Sequence, residues 1–448
     1  MQASQVIEVK PVVAIIVRPN VGKSTLFNRI TGRRNAIVSD TPGTTRDRVV
    51  LESEWSDYPF ILVDTGGMDL FPDDEIWSQV EIQIQYAIQE CDIIVFLVDV
   101  SDGITETDRE VSDVLRKSGK PIILAGNKMD NESRSAMLSE LYELGMGDPV
   151  GISAYHNIGV DDLMASIIDR FPDTPGSPEP ESDLRLAIVG RTNVGKSMLI
   201  NAMTGENRAI VSSIAGTTRD SLDSSIVYQN QKIQLIDTAG IRRRGKIDRG
   251  IEKYSVLRSM KAIDRCETAA LVIDASEHST GQDTHIASYI LDAGKSIVIV
   301  VNKWDLSREV GLTKNEMESE IRKRYKFAPY APICFTSALR SNGINILLDT
   351  AIDAKKEWCK EIPRAEIRKT VMTAVSEHIP PTHGRKELKI YSALQDSIMP
   401  PSFTFFVNHS DMVHFSYKRY LENQLRDSYG FMGSPIRMRF QGLSLIHI

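Results

Sequence analysis

Two stretches of this 448-residue chain could cradle phosphate. Gly190-Arg-Thr-Asn-Val-Gly-Lys-Ser197 follows an apolar, β-branched run at 186–189. A strand, a tight turn of open backbone N–H groups and a helix N-terminus, in that order, make an anion cradle. Gly190 and Gly195 let the backbone wrap a β-phosphate. Lys196 reaches the β and γ oxygens, and the Ser197 hydroxyl ligates Mg²⁺. The counterpart, Val17-Arg-Pro-Asn-Val-Gly-Lys-Ser24, keeps Gly22, Lys23 and Ser24, with Thr25 behind them. Val17 stands where the first glycine belongs. A β-branched residue is stiff and poorly suited to positive φ. Either the local backbone accommodates it, or this first site binds nucleotide weakly; weaker binding is the expectation.

A second pattern selects a base. Asn127-Lys128-Met-Asp130 and Asn302-Lys303-Trp-Asp305 each follow a strand-like run. A carboxylate accepts two hydrogen bonds from guanine N1–H and N2–H₂, and adenine offers neither; Asp130 and Asp305 take that role. Asn127 and Asn302 orient the loop. The stems of Lys128 and Lys303 lie along the ring. Backbone N–H groups around Ala154 and Ala338, in the pairs Ser153-Ala154 and Ser337-Ala338, hold O6. Asp64 and Asp237 end strands ahead of Gly67 and Gly240 and fit the Mg²⁺-side acid, acting through a water. Thr45 and Thr218, in polar loops, complete the metal shell when a γ-phosphate is present.

These motifs are the landmarks of an internal repeat. The phosphate loops, Gly43-Thr-Thr-Arg-Asp47 with Gly216-Thr-Thr-Arg-Asp220, and Asp64 with Asp237 all recur 173 residues apart; the base motifs recur at 175 and the Ser-Ala pairs at 184. A constant offset that drifts only by loop-sized insertions means two copies of one domain. Runs at 11–17, 60–63, 93–99, 121–126 and 149–152 read as buried strands, alternating with helical spacing at 23–30 and 108–117. The fold class expected is α/β: two consecutive domains of mostly parallel sheet with helices on both faces, then a small α+β module. Every repeated motif follows a strand, so all sit on the rim where such sheets bind ligands. The expected organisation is 11–170 for the first copy, an acidic Pro-rich linker at 171–184, 185–361 for the second copy and 362–441 for the last module. That module reads α-β-β-α-β.

Net charge is −7, unevenly spread: −14 over 1–176, +2 over 177–354 and +5 over 355–448. The basic final third is where a polyanion would dock. No apolar run approaches the length of a membrane span, and the N-terminus lacks the pattern of a leader peptide. Four well-separated cysteines with no CxxC read as reduced cytosolic thiols.

On these residues the chain resembles the Der (EngA) family, which has tandem G domains followed by a KH-like domain, over about residues 11–440. The resemblance implies GTP hydrolysis to GDP and phosphate, and a cytoplasmic role in maturation of the large ribosomal subunit. It also implies binding to rRNA or pre-ribosomal particles, contact with other assembly factors, a monomer and no membrane. Ras-like relatives place a water-orienting Gln where this chain has Met68 and Ile241, so the water must be held otherwise. Asn20 and Asn193 match the Asn that holds K⁺ against the phosphates in K⁺-stimulated relatives. The resemblance thereby assigns Lys23, Lys196, Asn20, Asn193, Thr45 and Thr218 to catalysis.

Arg242-Arg-Arg-Gly-Lys246 in the second copy faces Met68-Asp-Leu-Phe71 in the first, so the copies are not interchangeable. Gly430-Phe-Met-Gly433 spells the KH backbone clamp but sits between a helix and a strand, where a turn is expected. Arg385, Lys386, Lys389, Arg437 and Arg439 are better candidates for RNA contact; Phe403, Phe405 and Phe406 are expected largely in the core. The tail at 442–448 is apolar where the family ends in basic residues, and is expected to be non-native. The alternative function is a GTP-gated ribosome-binding scaffold with a degenerate first site and little hydrolysis. A tRNA-modifying GTPase would need one G domain within a helical domain and a terminal Cys. A P-loop kinase would not need two guanine motifs.

Overall fold

A computed structural model of the protein describes residues 10–18, 20–32, 50–64, 84–85, 87–130, 135–171, 182–206, 223–238, 252–277, 281–307, 311, 313–380, 382–383 and 386–442. In the first copy the strands are β1 (Val12–Ile16), β2 (Val50–Trp55), β3 (Tyr58–Asp64), β4 (Ile93–Asp99), β5 (Ile122–Asn127) and β6 (Val150–Gly151), in sheet order β2-β3-β1-β4-β5-β6. All pairs are parallel except β2–β3. That hairpin is an addition to the parallel plan that the sequence pattern predicts. Its turn, Ser56-Asp57, has φ of 50° and 67°, the mirror-image turn whose twist matches two antiparallel strands. Strands β1 and β4 are wholly buried because helices cover both faces. Continuous apolar runs, without alternation, are the signature of that arrangement. The covering helices include α1 (Lys23–Gly32), α2 (Glu106–Lys117) and α3 (Val160–Ile168).

The second copy repeats the plan. Strands β7 (Leu184–Val189), β8 (Ser224–Tyr228), β9 (Gln231–Ile236), β10 (Thr268–Asp274), β11 (Ser296–Asn302) and β12 (Ile333–Phe335) form a sheet in order β12-β11-β10-β7-β9-β8. Only β8–β9 is antiparallel, and its turn Gln229-Asn230 has φ of 48° and 61°. The helices of this copy include α4 (Lys196–Glu206), α5 (Glu252–Arg265), α6 (Gly281–Asp292), α7 (Lys314–Arg324) and α8 (Ile344–Trp358). Strand β7 begins inside the segment read as linker: Leu184 is fully buried, and at the other end Phe171 packs against Tyr58 and Phe60. Residues 172–181 of that segment lie outside the described residues. In each sheet the chain leaves the central strand to one side and then the other. The crevice beyond the carboxyl ends of β1/β4 and β7/β10 is thus a topological switch point.

The last module follows the expected order. Helix α9 (Arg364–Glu377) leads to a short pair, β13 (Thr382–His383) and β14 (Lys386–Glu387), and then to β15 (Ile390–Ser397) and β16 (Ser402–Val407). Helix α10 (Phe415–Tyr429) and β17 (Arg437–Gly442) complete it. Strand β16 is central, antiparallel to β15 and parallel to β17. Phe403 and Phe405 are fully buried with Leu421 and Leu425 in the module's core. The Gly430–Gly433 segment is a turn packed against the second copy: Phe431 is fully buried, Gly433 N–H donates to the Tyr330 carbonyl (2.9 Å) and Ile297 N–H donates to the Gly433 carbonyl (2.8 Å). The Arg426 guanidinium lies 3.6 Å from the Tyr330 ring centre, a desolvated cation–π contact. A backbone so committed cannot clamp RNA. All four cysteines are free thiols, and burial pushes Cys266 up to about 12. No described helix is long and apolar enough to cross a membrane.

Candidate nucleotide sites

Each phosphate loop leaves a buried strand and enters a helix, as the anion cradle requires. Asn20 and Asn193, at the loop tips, are left-handed with φ of 67° and 64°. Short polar residues tolerate that conformation. Both side chains are exposed and bond to nothing among the described residues. Gly22 and Gly195 have φ of 103° and 95°, and a Cβ on either would lie 2.4 or 2.3 Å from the side-chain nitrogen of Asn127 or Asn302. Backbone and base motif touch at these glycines, so no larger residue fits.

The loops diverge at their first position. Gly190 has φ of 141°, and an added Cβ would meet the Val272 carbonyl oxygen at 2.4 Å. Val17 is outside the positive-φ set, and its side chain is buried in the first copy's core. The backbone turns differently there, which is how it accommodates a valine. In the second copy Lys196 is buried, and its ammonium donates to the Gly190 carbonyl at 2.7 Å and to the Arg191 carbonyl. Lys23 is half-buried, Ser24 exposed, and Thr25 and Ser197 half-buried, all at the helix starts.

The base motifs share their principal bonds. Asn127 Nδ2 donates to the Val21 carbonyl (2.7 Å), and its Oδ1 accepts from Ala154 N–H (3.0 Å). Asn302 bonds likewise to the Val194 carbonyl (2.9 Å) and Ala338 N–H (3.1 Å), and also accepts from the Thr336 hydroxyl. Each buried Asn thus staples the phosphate loop to the Ser-Ala loop. The amides of Ala154 and Ala338, read as holding O6, are the ones these Asn side chains take. Ser153 and Ser337 hydroxyls donate to Asp130 Oδ1 (2.7 Å) and Asp305 Oδ1 (2.6 Å), orienting the two carboxylates. Lys128 and Lys303 are left-handed, with φ of 70° and 59°.

The structure adds residues that the motifs did not name. Lys128 Nζ lies 2.5 Å from Asp99 and Lys303 Nζ lies 2.5 Å from Asp274, each carboxylate buried at the end of β4 or β10. Ser101 and Ser276 donate to them through N–H and hydroxyl. Burial alone would raise these carboxyls; the lysine and serine hydrogen bonds outweigh it and hold both below the usual carboxylate range. On the phosphate side, Arg18 reaches Asp102 (2.9 Å) and the buried Asp108 (3.4 Å). Arg191 likewise reaches Glu277 and the buried Asp283 (3.7 Å). Asp108 also closes a capping box with Thr105 at the start of α2. The repeated Asp-x-Ser at 99–101 and 274–276 was the sequence trace of the first brace.

Asp64 ends β3 and Asp237 follows β9; the Asp64 side chain, Thr45, Gly67, Thr218, Gly240, Met68, Ile241 and residues 242–246 lie outside the described residues. Asp237 is left-handed (φ 58°), with its N–H on Asp223 Oδ1. Among the described residues no cluster of three His, Cys, Asp or Glu could form a metal cage.

The sequence matches the family described as "50S ribosome-binding GTPase" over residues 12–128 and again over 185–303. Residues 361–441 match that described as "KH-domain-like of EngA bacterial GTPase enzymes, C-terminal". Over 441 residues the chain is 47% identical to GTPase Der of Herpetosiphon aurantiacus, covering 97% of both chains. The chain belongs to the Der family of GTPases. The Der protein of Chloroflexus aggregans is 47% identical, with 96% of this chain and 98% of that one covered; that of Staphylococcus carnosus is 44% identical over 429 residues. Membership in the Der family brings GTP binding and hydrolysis; both phosphate loops fall inside the matched segments, which end within the base motifs, two residues short of Asp130 and Asp305.

Proposed function

We propose that this protein is a GTP-driven switch in assembly of the large ribosomal subunit, acting in the cytoplasm on rRNA or pre-ribosomal particles. The observation that carries the reading is a guanine site built twice on the same Asn, Ser and Asp–Lys bonds, followed by a KH-like module. The 50S-binding description of the matched family and the KH-like match support a ribosomal partner. Within the module, Lys389, Arg437 and Arg439 are exposed and available to phosphate, although Arg437 also donates to the Asp292 carbonyl. Arg385 lies outside the described residues. Domain limits at 11–170, 185–361 and 362–441 follow the same reading, with a monomer as the working unit.

Chemically, each residue has a task. Asp305, held by Ser337, accepts from guanine N1–H and N2–H₂, and the Lys303 stem, held by Asp274, flanks the ring. Lys196 exchanges its two carbonyl bonds for phosphate oxygens, a trade that favours the charged partner. The Ser197 hydroxyl and Asp237 carboxylate stand at the ends of the adjacent parallel elements β7–α4 and β9. They are hard oxygen donors suited to Mg²⁺, which supplies charge stabilisation at the transferring phosphate. Asn193 offers an uncommitted amide oxygen where K⁺ would sit. Thr218 would complete the metal shell. With no Gln after the Asp-x-x-Gly motifs, attacking water is oriented by backbone groups.

The test is phosphate release in K⁺ and Na⁺ buffers, paired with co-sedimentation of the GTP-analogue and GDP forms with 50S particles. Turnover stimulated by K⁺ and nucleotide-dependent sedimentation are expected. Particle binding indifferent to nucleotide, with negligible turnover, would favour the scaffold reading.

A further inference from the structure

Arg29 lies five residues beyond Ser24 on α1. Its Nε donates to the Ala154 carbonyl at 3.1 Å and its Nη2 to the Tyr155 carbonyl at 2.6 Å. Ala154 is therefore gripped twice: Asn127 takes its N–H and Arg29 its carbonyl. Among the described residues of the second copy no side chain donates to the Ala338 carbonyl. At the place equivalent to Arg29 stands Ala202, a nearly buried methyl; Ala338 N–H bonds Asn302, and its carbonyl accepts only a long bond from the Ser341 N–H (3.5 Å) among the described residues. The two base loops share the Asn and Ser staples; the second adds the Thr336 hydroxyl on Asn302, where the first has Ile152, and the first adds Arg29.

We infer that Arg29 is a positioning residue for the first site, fixing the base-side loop and slowing nucleotide release there. The inference rests on the guanine-site reading above. The loop at 153–157 is exposed at Tyr155 (74%) and passes through a left-handed Asn157. Left to itself, it would exchange its carbonyl bonds with water. A guanidinium donating to two successive carbonyls makes charge-assisted bonds of fixed geometry. Opening the loop to free the base must break both. Affinity differences within one site reside mainly in dissociation.

The test uses the full chain with Asp305→Asn, which removes the guanine preference of the second site and leaves labelled GDP to report the first. Stopped-flow dissociation of a fluorescent GDP is compared with and without Arg29→Ala and Arg29→Lys. Release is expected to quicken about tenfold for Ala, from loss of two charge-assisted bonds at a part-exposed site, with Lys intermediate. Association rates should stay unchanged. In the reciprocal protein, Asp130→Asn with Ala202→Arg, release from the second site should slow. That gain does not depend on the Arg29 variants folding, and a merely structural Arg29 would not produce it. Unchanged release in Arg29→Ala and in Ala202→Arg would overturn the inference while leaving the guanine reading intact. Failure of the Asp305→Asn parent to bind GDP at its first site would overturn that reading, and the inference with it.

Discussion

At Gly190 the second phosphate loop takes φ of 141° with the Val272 carbonyl so close that a Cβ would lie 2.4 Å from it. At the matching place in the first loop, Val17 keeps its φ out of the positive range and buries its side chain in the core. Beyond that residue the two sites converge again. The left-handed Asn, the strained glycine, the Asn staple, the Ser-oriented carboxylate and the Asp–Lys brace recur with distances that differ by a few tenths of an ångström. The difference teaches that a phosphate loop can change its entry without losing its base site. The entry is local backbone, whereas the base site is fixed by buried side chains reaching across four elements.

The comparison breaks most sharply at the carboxylates. Asp130→Asn and Asp305→Asn should each lower guanine affinity at one site alone by about a hundredfold, from loss of two charge-assisted bonds. Competition between GDP and XDP checks it, since an Asn amide can donate to the xanthine 2-oxo group. Next is Gly190→Val, which puts the first copy's residue in the second. The clash with the Val272 carbonyl and the positive φ together should cost the second site roughly tenfold in affinity or more, with loss of stability of about 1–3 kcal/mol. Calorimetry and thermal melts read both effects.

The buried braces set a pH dependence. Asp99 and Asp274 are held below the usual carboxylate range, so their stabilisation is fully present above the unfolded value of about 4 and is lost as pH falls through the lower folded value. Asp274→Asn should flatten that acid limb in chemical denaturation series between about pH 5 and 2, and should loosen Lys303 at neutral pH. An unchanged acid limb would mean the Asp274–Lys303 pair is not what the structure shows. The smallest effect expected is from Val17→Gly: the first loop is already built around valine, so GDP affinity at site one should change by no more than about threefold.

Much of this was legible in the sequence because repetition amplified it. Two copies of each motif in one order pointed to the parallel sheets and to the rim, and suggested the guanine role proposed for Asp130 and Asp305. The C-terminal α-β-β-α-β order was equally plain from alternation and helical spacing. Less legible was whatever depends on long-range partners. Arg18 and Arg191 stood within the quoted motifs, but their acids, Asp108 and Asp283, are some ninety residues away. Arg29 sat in an ordinary helix pattern, and only the fold brings it to the Ala154 carbonyl. The edge hairpins of β2 and β8 were hidden because their alternation is short and their turns, Ser-Asp and Gln-Asn, lack glycine. No local pattern announces the bonds that the Ala154 and Ala338 amides make to Asn127 and Asn302.

The central claim is that two guanine sites operate in one chain despite Val17. Titration calorimetry with a non-hydrolysable GTP analogue, on wild type and on Lys196→Ala in K⁺ buffer, tests it most directly. The account predicts two sites in wild type, the first weaker, and one in Lys196→Ala. One site in wild type and none in the variant would contradict it, making the first domain a structural copy and leaving the switch to the second.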